Sequence, residues 1–152
     1  MTDLLHSNIL GSGTPLIVLH GFLGMSDNWK TLGKQYATQG FEVHLVDQRN
    51  HGRSFWSDVF DYPTLAQDLL HYMDSKNLAK AVMLGHSMGG KTAMQFACTK
   101  PERVSKLLVA DIAPRPYPPH HDYILEALEA LPLAQLKSRT EADEALAHNL
   151  DN

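Results

Sequence analysis

Ala81-Val82-Met83-Leu84-Gly85-His86-Ser87-Met88-Gly89-Gly90-Lys91 is the stretch that decides the fold. A run of four apolar residues reads as a strand, Gly-x-Ser-x-Gly breaks it, and a helical pattern then continues to Lys100 before Pro101 interrupts it. A sharp strand-to-helix turn pushes a serine hydroxyl out of the sheet and crowds its neighbours, which must be small. Gly85 and Gly89 meet that demand, and Gly90 leaves more room for close helix–strand packing. Three fixed positions alone would be a weak signal. Their setting between an apolar strand and a helix makes the turn a nucleophile elbow, with Ser87 the candidate nucleophile.

The helix that starts at Met88 aims free N–H groups and the positive end of its dipole at the serine, which favours a developing oxyanion. The backbone N–H of Met88 is one candidate donor. The second is expected from the loop after Leu16-Ile17-Val18-Leu19, namely His20-Gly21-Phe22, with the Phe22 N–H as candidate. Each such donor can lower a transition state by on the order of 3 kcal/mol.

Outward from the elbow, short apolar runs alternate with helical patterns. Leu16–Leu19 reads as a strand, followed by a helix with Trp29, Leu32 and Tyr36 on one face and Gly40 at its C′ position. Phe41-Glu42-Val43-His44-Leu45-Val46 is the next strand, ending in the turn Asp47-Gln48-Arg49-Asn50-His51-Gly52-Arg53-Ser54. Pro63 opens a helix with an apolar stripe of Leu65, Ala66, Leu69, Leu70 and Met73, which Asn77 ends. Lys106-Leu107-Leu108-Val109-Ala110 is the last strand and stops at Asp111. This alternation predicts an α/β fold: a mostly parallel sheet, its strands covered by helices on both faces, with function at the strands' carboxyl ends. After Pro114-Arg115-Pro116-Tyr117-Pro118-Pro119 the pattern is helical only. Ile124, Leu125, Leu128 and Leu131 mark one amphipathic helix, and Ala142, Ala145, Leu146 and Leu150 another, opened by the capping box Ser138-Arg139-Thr140-Glu141. The expected division is a core over residues 1–113 and, over residues 114–152, the start of a helical cap; ordinary packing helices are the alternative.

Composition excludes more than it assigns. The 152 residues, 43% hydrophobic and 20% charged, fit one ordinary globular domain. The 13 basic and 17 acidic residues leave a formal charge of −4, with no Lys/Arg stripe to neutralise phosphates, so nucleic acid is not an expected partner. No apolar run approaches the roughly 20 residues of a membrane span. Met1-Thr2-Asp3-Leu4-Leu5-His6 lacks a positive leader followed by an apolar core. No membrane partner and a cytoplasmic location are therefore expected. Cys98, the single cysteine, is expected to be a small buried hydrophobe among Ala93, Met94, Phe96 and Ala97.

Four blocks together resemble the α/β-hydrolase superfamily and, within it, the small bacterial YbfF-type acyl-ester esterases. They are Val18-Leu19-His20-Gly21-Phe22-Leu23-Gly24, Asp47-Gln48-Arg49-Asn50-His51-Gly52-Arg53-Ser54, Gly85-His86-Ser87-Met88-Gly89-Gly90-Lys91 and Asp111-Ile112-Ala113-Pro114. The resemblance covers nearly the whole chain. It implies an α/β-hydrolase fold and a cofactor-free, metal-free esterase acting on small-molecule esters of short to medium acyl chains. It also implies Ser87 as nucleophile and Asp111, after the last strand, as the catalytic acid. Many α/β-hydrolases carry the acid one strand later, and a carboxylate that merely caps the loop before Pro114 is the alternative. Asp47 also ends a strand, in a turn that reads as structural support.

A serine hydroxyl is a poor nucleophile without a base, in this fold a histidine that comes last in the order Ser, Asp, His. Here the order stops short: the C-terminal strands of the fold, and the loop that bears that histidine in the family, are missing from the sequence. His20 and His86 are committed to the two turns and are expected to touch substrate without serving as base. His120 and His121 stand at the mouth of the cap. Adjacent residues point apart, which argues against a shared metal and leaves His121 as a substrate contact. His51 lies in a turn, and His6, His44, His71 and His148 read as surface or packing positions. Without a following strand, the last one presents an apolar edge through which the chain is expected to self-associate or pair.

Ester hydrolysis through an acyl-enzyme on Ser87 is the leading expectation. The alternatives are a catalytically silent fragment or binding module of the same fold, and a carbon–carbon bond hydrolase using the same nucleophile. Dehalogenase and epoxide-hydrolase chemistry would need an aspartate where Ser87 stands.

Overall fold

The computed structural model describes residues 4–117 and 122–150. His120, His121 and the side chain of His148 lie outside the described part. The chain divides into two compact units, Met1–Pro114 and Arg115–Asn152.

The first unit is built on a 5-stranded sheet of β1 (Ser7–Leu10), β2 (Thr14–Leu19), β3 (Phe41–Val46), β4 (Ala81–His86) and β5 (Val104–Ala110), in the order β1-β3-β2-β4-β5. All pairings are parallel except that of β1, which runs antiparallel to β3. Side-chain alternation splits β2 between two cores. Leu16 and Val18 pack with Trp29, Tyr36 and Ala37 on and beside α1 (Lys30–Ala37). Ile17 and Leu19 pack with Leu69, Tyr72 and Met73 of α2 (Tyr62–Ser75) and with Phe96 of α3 (Met88–Thr99). Each of these aliphatic side chains, fully buried, contributes roughly 1.5–3 kcal/mol. Helices thus cover both faces of a mostly parallel sheet, as the alternating pattern predicts. Asp61 caps α2 by accepting the Thr64 N–H at 2.7 Å, with Pro63 in the first turn.

Four details differ from the sequence expectation. Gly40 is not at C′. The end of α1 tightens into an i→i+3 bond from Gln39 N–H to the Tyr36 carbonyl, so Gly40 lies two residues past the cap, at φ 83°, where its carbonyl accepts the Thr14 N–H. Cys98 is exposed, because α3 turns Thr92, Ala93 and Phe96 inward and carries Cys98 round to the opposite side. β1, four residues long and on an edge, gave too short an alternation to be read; the Tyr72 hydroxyl ties it to α2 by donating to Ser7 Oγ at 2.8 Å. Finally, β5 is not covered on both faces: Leu107 and Leu108 are 38% and 47% exposed, because this strand forms the other edge of the sheet.

The second unit holds α4 (Asp122–Glu129) and α5 (Arg139–Leu150), which pack against each other. Ser138 Oγ accepts the Glu141 N–H at 3.2 Å, but the glutamate reaches back to the Lys137 N–H at 2.8 Å instead of closing the box on Ser138. No helix among the described residues is long and apolar enough to cross a membrane.

Candidate active site

The elbow is built as a strained junction. β4 ends at His86, α3 begins at Met88, and Ser87 between them adopts φ 50° and ψ −116°. A non-glycine residue held in such a sparsely populated region costs of order 1–3 kcal/mol and persists only where its surroundings fix it. The Ser87 N–H donates to the Ala110 carbonyl at 3.0 Å, and the Ser87 carbonyl accepts the Lys91 N–H at 3.1 Å. A Cβ on Gly85 would strike the Gly89 carbonyl, and a Cβ on Gly89 would strike the carbonyl of Leu19. The two glycines therefore let α3 fold back onto its own strand and onto β2. Ser87 carries the first turn of α3 beside it, where the Met88 N–H has no partner within the helix.

The loop after β2 meets this elbow directly. A Cβ on Gly21 would lie 2.8 Å from His86 Nδ1 and 3.4 Å from Ser87 Cβ. The Gly24 N–H closes a turn on the Gly21 carbonyl at 3.0 Å, and Leu23 takes φ 59°. Two buried histidines hold the loop from behind. His20 Nδ1 donates to the Gly21 carbonyl at 2.8 Å while its Nε2 accepts the Gln48 N–H at 3.1 Å. His51 Nδ1 donates to the Arg49 carbonyl at 2.9 Å while its Nε2 accepts the Leu23 N–H at 3.3 Å. A carbonyl only accepts, so each ring carries its proton on Nδ1 and is neutral. Burial pushes the His20 pKa below its usual 6.5.

The turn after β3 supports both. Asp47, fully buried, accepts the Ser26 N–H on Oδ1 and the Arg53 N–H on Oδ2 at 3.0 Å. Arg49 makes a two-pronged pair with Asp68 of α2, Nε to Oδ2 at 2.5 Å and a terminal nitrogen to Oδ1 at 2.7 Å, and gives a further bond to the Val59 carbonyl. The hydrogen bonds it donates to Asp68 hold the Arg49 guanidinium above its ordinary pKa.

Asp111 stands apart. It follows β5 at φ 57°, its side chain is 86% exposed, and Oδ2 lies 3.7 Å from His86 Nε2. His86, 40% exposed, lies beside the Trp29 ring, centroids 6.2 Å apart. A cleft of about 380 Å³ opens there, lined by Phe22, Gly24, Asn28, Trp29, Leu32 and His86 together with His20 and Gly21.

The structure thus gathers Ser87, Met88, Gly21, Phe22 and His86, and sets Asp111 at their margin. His20 departs from its expected part: its ring is buried with both nitrogens engaged inside the protein, so it supports the loop and does not offer a polar atom to substrate. His121 lies outside the described residues. No side chain among the described residues hydrogen-bonds Ser87 Oγ. Sequence reading missed His51, Gln48 and Thr92 as supports of the site; of these, Gln48 and His51 sit inside a quoted block and carried the only signal.

With this geometry in hand, the comparison with known families is direct: the α/β-hydrolase fold family matches residues 14–149. The chain belongs to this family. Escherichia coli esterase YbfF is 34% identical over 141 residues, spanning 92% of this chain and 55% of its own length. The sn-1-specific diacylglycerol lipase ABHD11 of Danio rerio is 42% identical over 105 residues, 68% of this chain and 33% of that protein. Among solved structures, a marine microorganism esterase superposes with a TM-score of 0.93 at 41% identity, covering 99% of this chain and 60% of its own. The chain therefore spans 55% and 33% of the lengths of these two curated relatives, YbfF and ABHD11.

Proposed function

We propose that the chain carries the nucleophile-bearing part of a serine esterase acting on small-molecule carboxylic esters of short to medium acyl chains. The observation that carries this reading is the strained Ser87 elbow at the N-terminus of α3, in contact with the Gly21 loop. The names of its relatives, esterases and a lipase, support the same class.

In this reading Ser87 Oγ attacks the ester carbonyl while its proton passes to a histidine outside the described residues. The N–H groups of Met88 and Phe22 hold the oxyanion, and Asp111 orients that histidine. Collapse expels the alcohol with the proton and leaves an acyl-Ser87, which water attacks in the same way to release the acid. Phe22, Trp29 and Leu32 line the cleft beside the elbow and suit a modest apolar group. A cytoplasmic setting completes the proposal.

The test is turnover of p-nitrophenyl esters of increasing acyl length by the native chain and by Ser87→Ala. Turnover that falls by at least about 10³-fold in the variant supports the reading. Hydrolysis equal in both, or none from the folded native chain, contradicts it for this chain.

A further inference from the structure

One buried amide joins the two segments that bear the proposed oxyanion donors. Gln48 is 1% exposed, the second residue of the turn after β3. Its Nε2 donates to the His20 carbonyl at 2.9 Å, its Oε1 accepts from Thr92 Oγ1 at 2.8 Å, and its own N–H donates to His20 Nε2 at 3.1 Å. Thr92 is equally buried, on α3 one turn beyond Met88, whose carbonyl lies 3.2 Å from the same hydroxyl. The orientation of the amide follows from chemistry. The His20 carbonyl can only accept, so the nitrogen must face it, and a flipped amide would set two carbonyl oxygens against each other.

The placement matters because the main-chain ladder between β2 and β4 ends at the pair Leu19↔Gly85. Beyond that pair no strand bond ties the β2 loop to the elbow. Gln48 supplies the tie: it grips the loop at the carbonyl two residues before Phe22, and it grips α3 through the residue four after Met88. Asp47 and the Arg49–Asp68 pair hold its own backbone from either side.

We propose that Gln48 is a positioning residue that fixes the spacing of the two oxyanion donors by bonding the His20 carbonyl to Thr92. The proposal rests on the reading of Phe22 and Met88 as those donors. Gln48 touches no substrate in this account and acts through the loop. A displacement of about 1 Å at such a site can cost about 10²-fold in rate, of the same order as deleting one donor outright.

The test uses Gln48→Met, of similar length but without the amide; Thr92→Val, which removes only the hydroxyl; and Thr92→Ser, which keeps it. The first readout needs no reagent: NMR hydrogen exchange at the Leu23 and Gly24 amides, which are bonded to His51 and to the Gly21 carbonyl. Gln48→Met should speed that exchange by at least about 10-fold with the amides of β4 and α2 unchanged, since loss of a tie opens only the unit it held. The second is phosphonylation of Ser87 by a fluorophosphonate, separated into reversible binding and the rate of bond formation. Gln48→Met should slow bond formation by about 10–100-fold with reversible binding within about twofold, Thr92→Val should fall in the same direction, and Thr92→Ser should recover most of the native rate. The proposal is overturned by folded Gln48→Met and Thr92→Val chains with native loop exchange, by an unchanged phosphonylation rate, or by Thr92→Ser behaving like Thr92→Val. Should Gln48→Met not fold, the Thr92 pair decides. Should the native chain not be phosphonylated at Ser87, the esterase reading fails, and loop exchange alone then decides whether Gln48 holds the loop.

Discussion

β4 and β5 are neighbouring parallel strands of similar apolar character, and they hold their site residues differently. β4 lies inside the sheet with a partner on each side, and Ala81, Val82, Met83 and Gly85 are buried. Among the described residues β5 pairs with β4 alone, and Leu107 and Leu108 are 38% and 47% exposed. The contrast reaches the loops beyond. Ser87 is wedged by Gly85 and Gly89 and bonded to the Ala110 carbonyl, and the loop facing it is held by His20, His51 and Gln48. Asp111 extends an 86% exposed carboxylate toward His86 at 3.7 Å. Among the described residues the surroundings of Ser87 are buried and hydrogen-bonded, whereas the carboxylate of Asp111 is open to solvent.

The largest effect expected from this contrast is at Gly89. Gly89→Val drives a side chain into the backbone carbonyls of Leu19 and His20 and should remove at least about 5 kcal/mol, enough to abolish a cooperative urea transition in a domain at the low end of ordinary stability. A Gly89→Val chain as stable as the native would mean the elbow is not wedged at all. Next is Arg49→Leu, which strands the buried Asp68 carboxylate and should cost about 3–5 kcal/mol by urea denaturation. A loss below about 1 kcal/mol would show that the turn after β3 does not brace the site.

These two positions also mark what the sequence made legible. The elbow could be read because its whole requirement is local: glycines two residues either side of a serine, between an apolar run and a helix. The ion pair and the Gln48 tie could not, because Arg49 and Asp68 are 19 residues apart, and Gln48 and Thr92 are 44 apart. Nothing in a residue's own neighbourhood signals such a partner until the fold brings it near. The exposure of Cys98 is hidden for a related reason: helical periodicity gives a face, but Thr92, Ala93 and Phe96 fix which face is buried. β1 is only Ser7–Leu10, too short for alternation to speak. The placing of Asp111 so far into solvent was not legible, because it depends on how the turn after β5 leaves the sheet.

A smaller effect is expected with pH. His20 is neutral in the folded chain, with burial lowering its pKa from the usual 6.5, so protons bind the unfolded chain first as pH falls. Its contribution to stability should be complete above 6.5 and be lost as pH drops through the lowered folded value. Urea midpoints between about pH 8 and pH 5, read with the His20 ring resonances, would check this; a His20 ring that titrates at or above 6.5 would contradict it. The smallest effect is at Asp111: Asp111→Asn should change stability by no more than about 0.5 kcal/mol, because the carboxylate is exposed. A larger loss would erase the contrast between the two strands.

The central claim is that Ser87 is held as a nucleophile by this chain, and intact-mass analysis after exposure to a fluorophosphonate tests it most directly. The account predicts one equivalent of label on the native chain and none on Ser87→Ala. A folded native chain that stays unlabelled, or a label that persists in the variant, would contradict it.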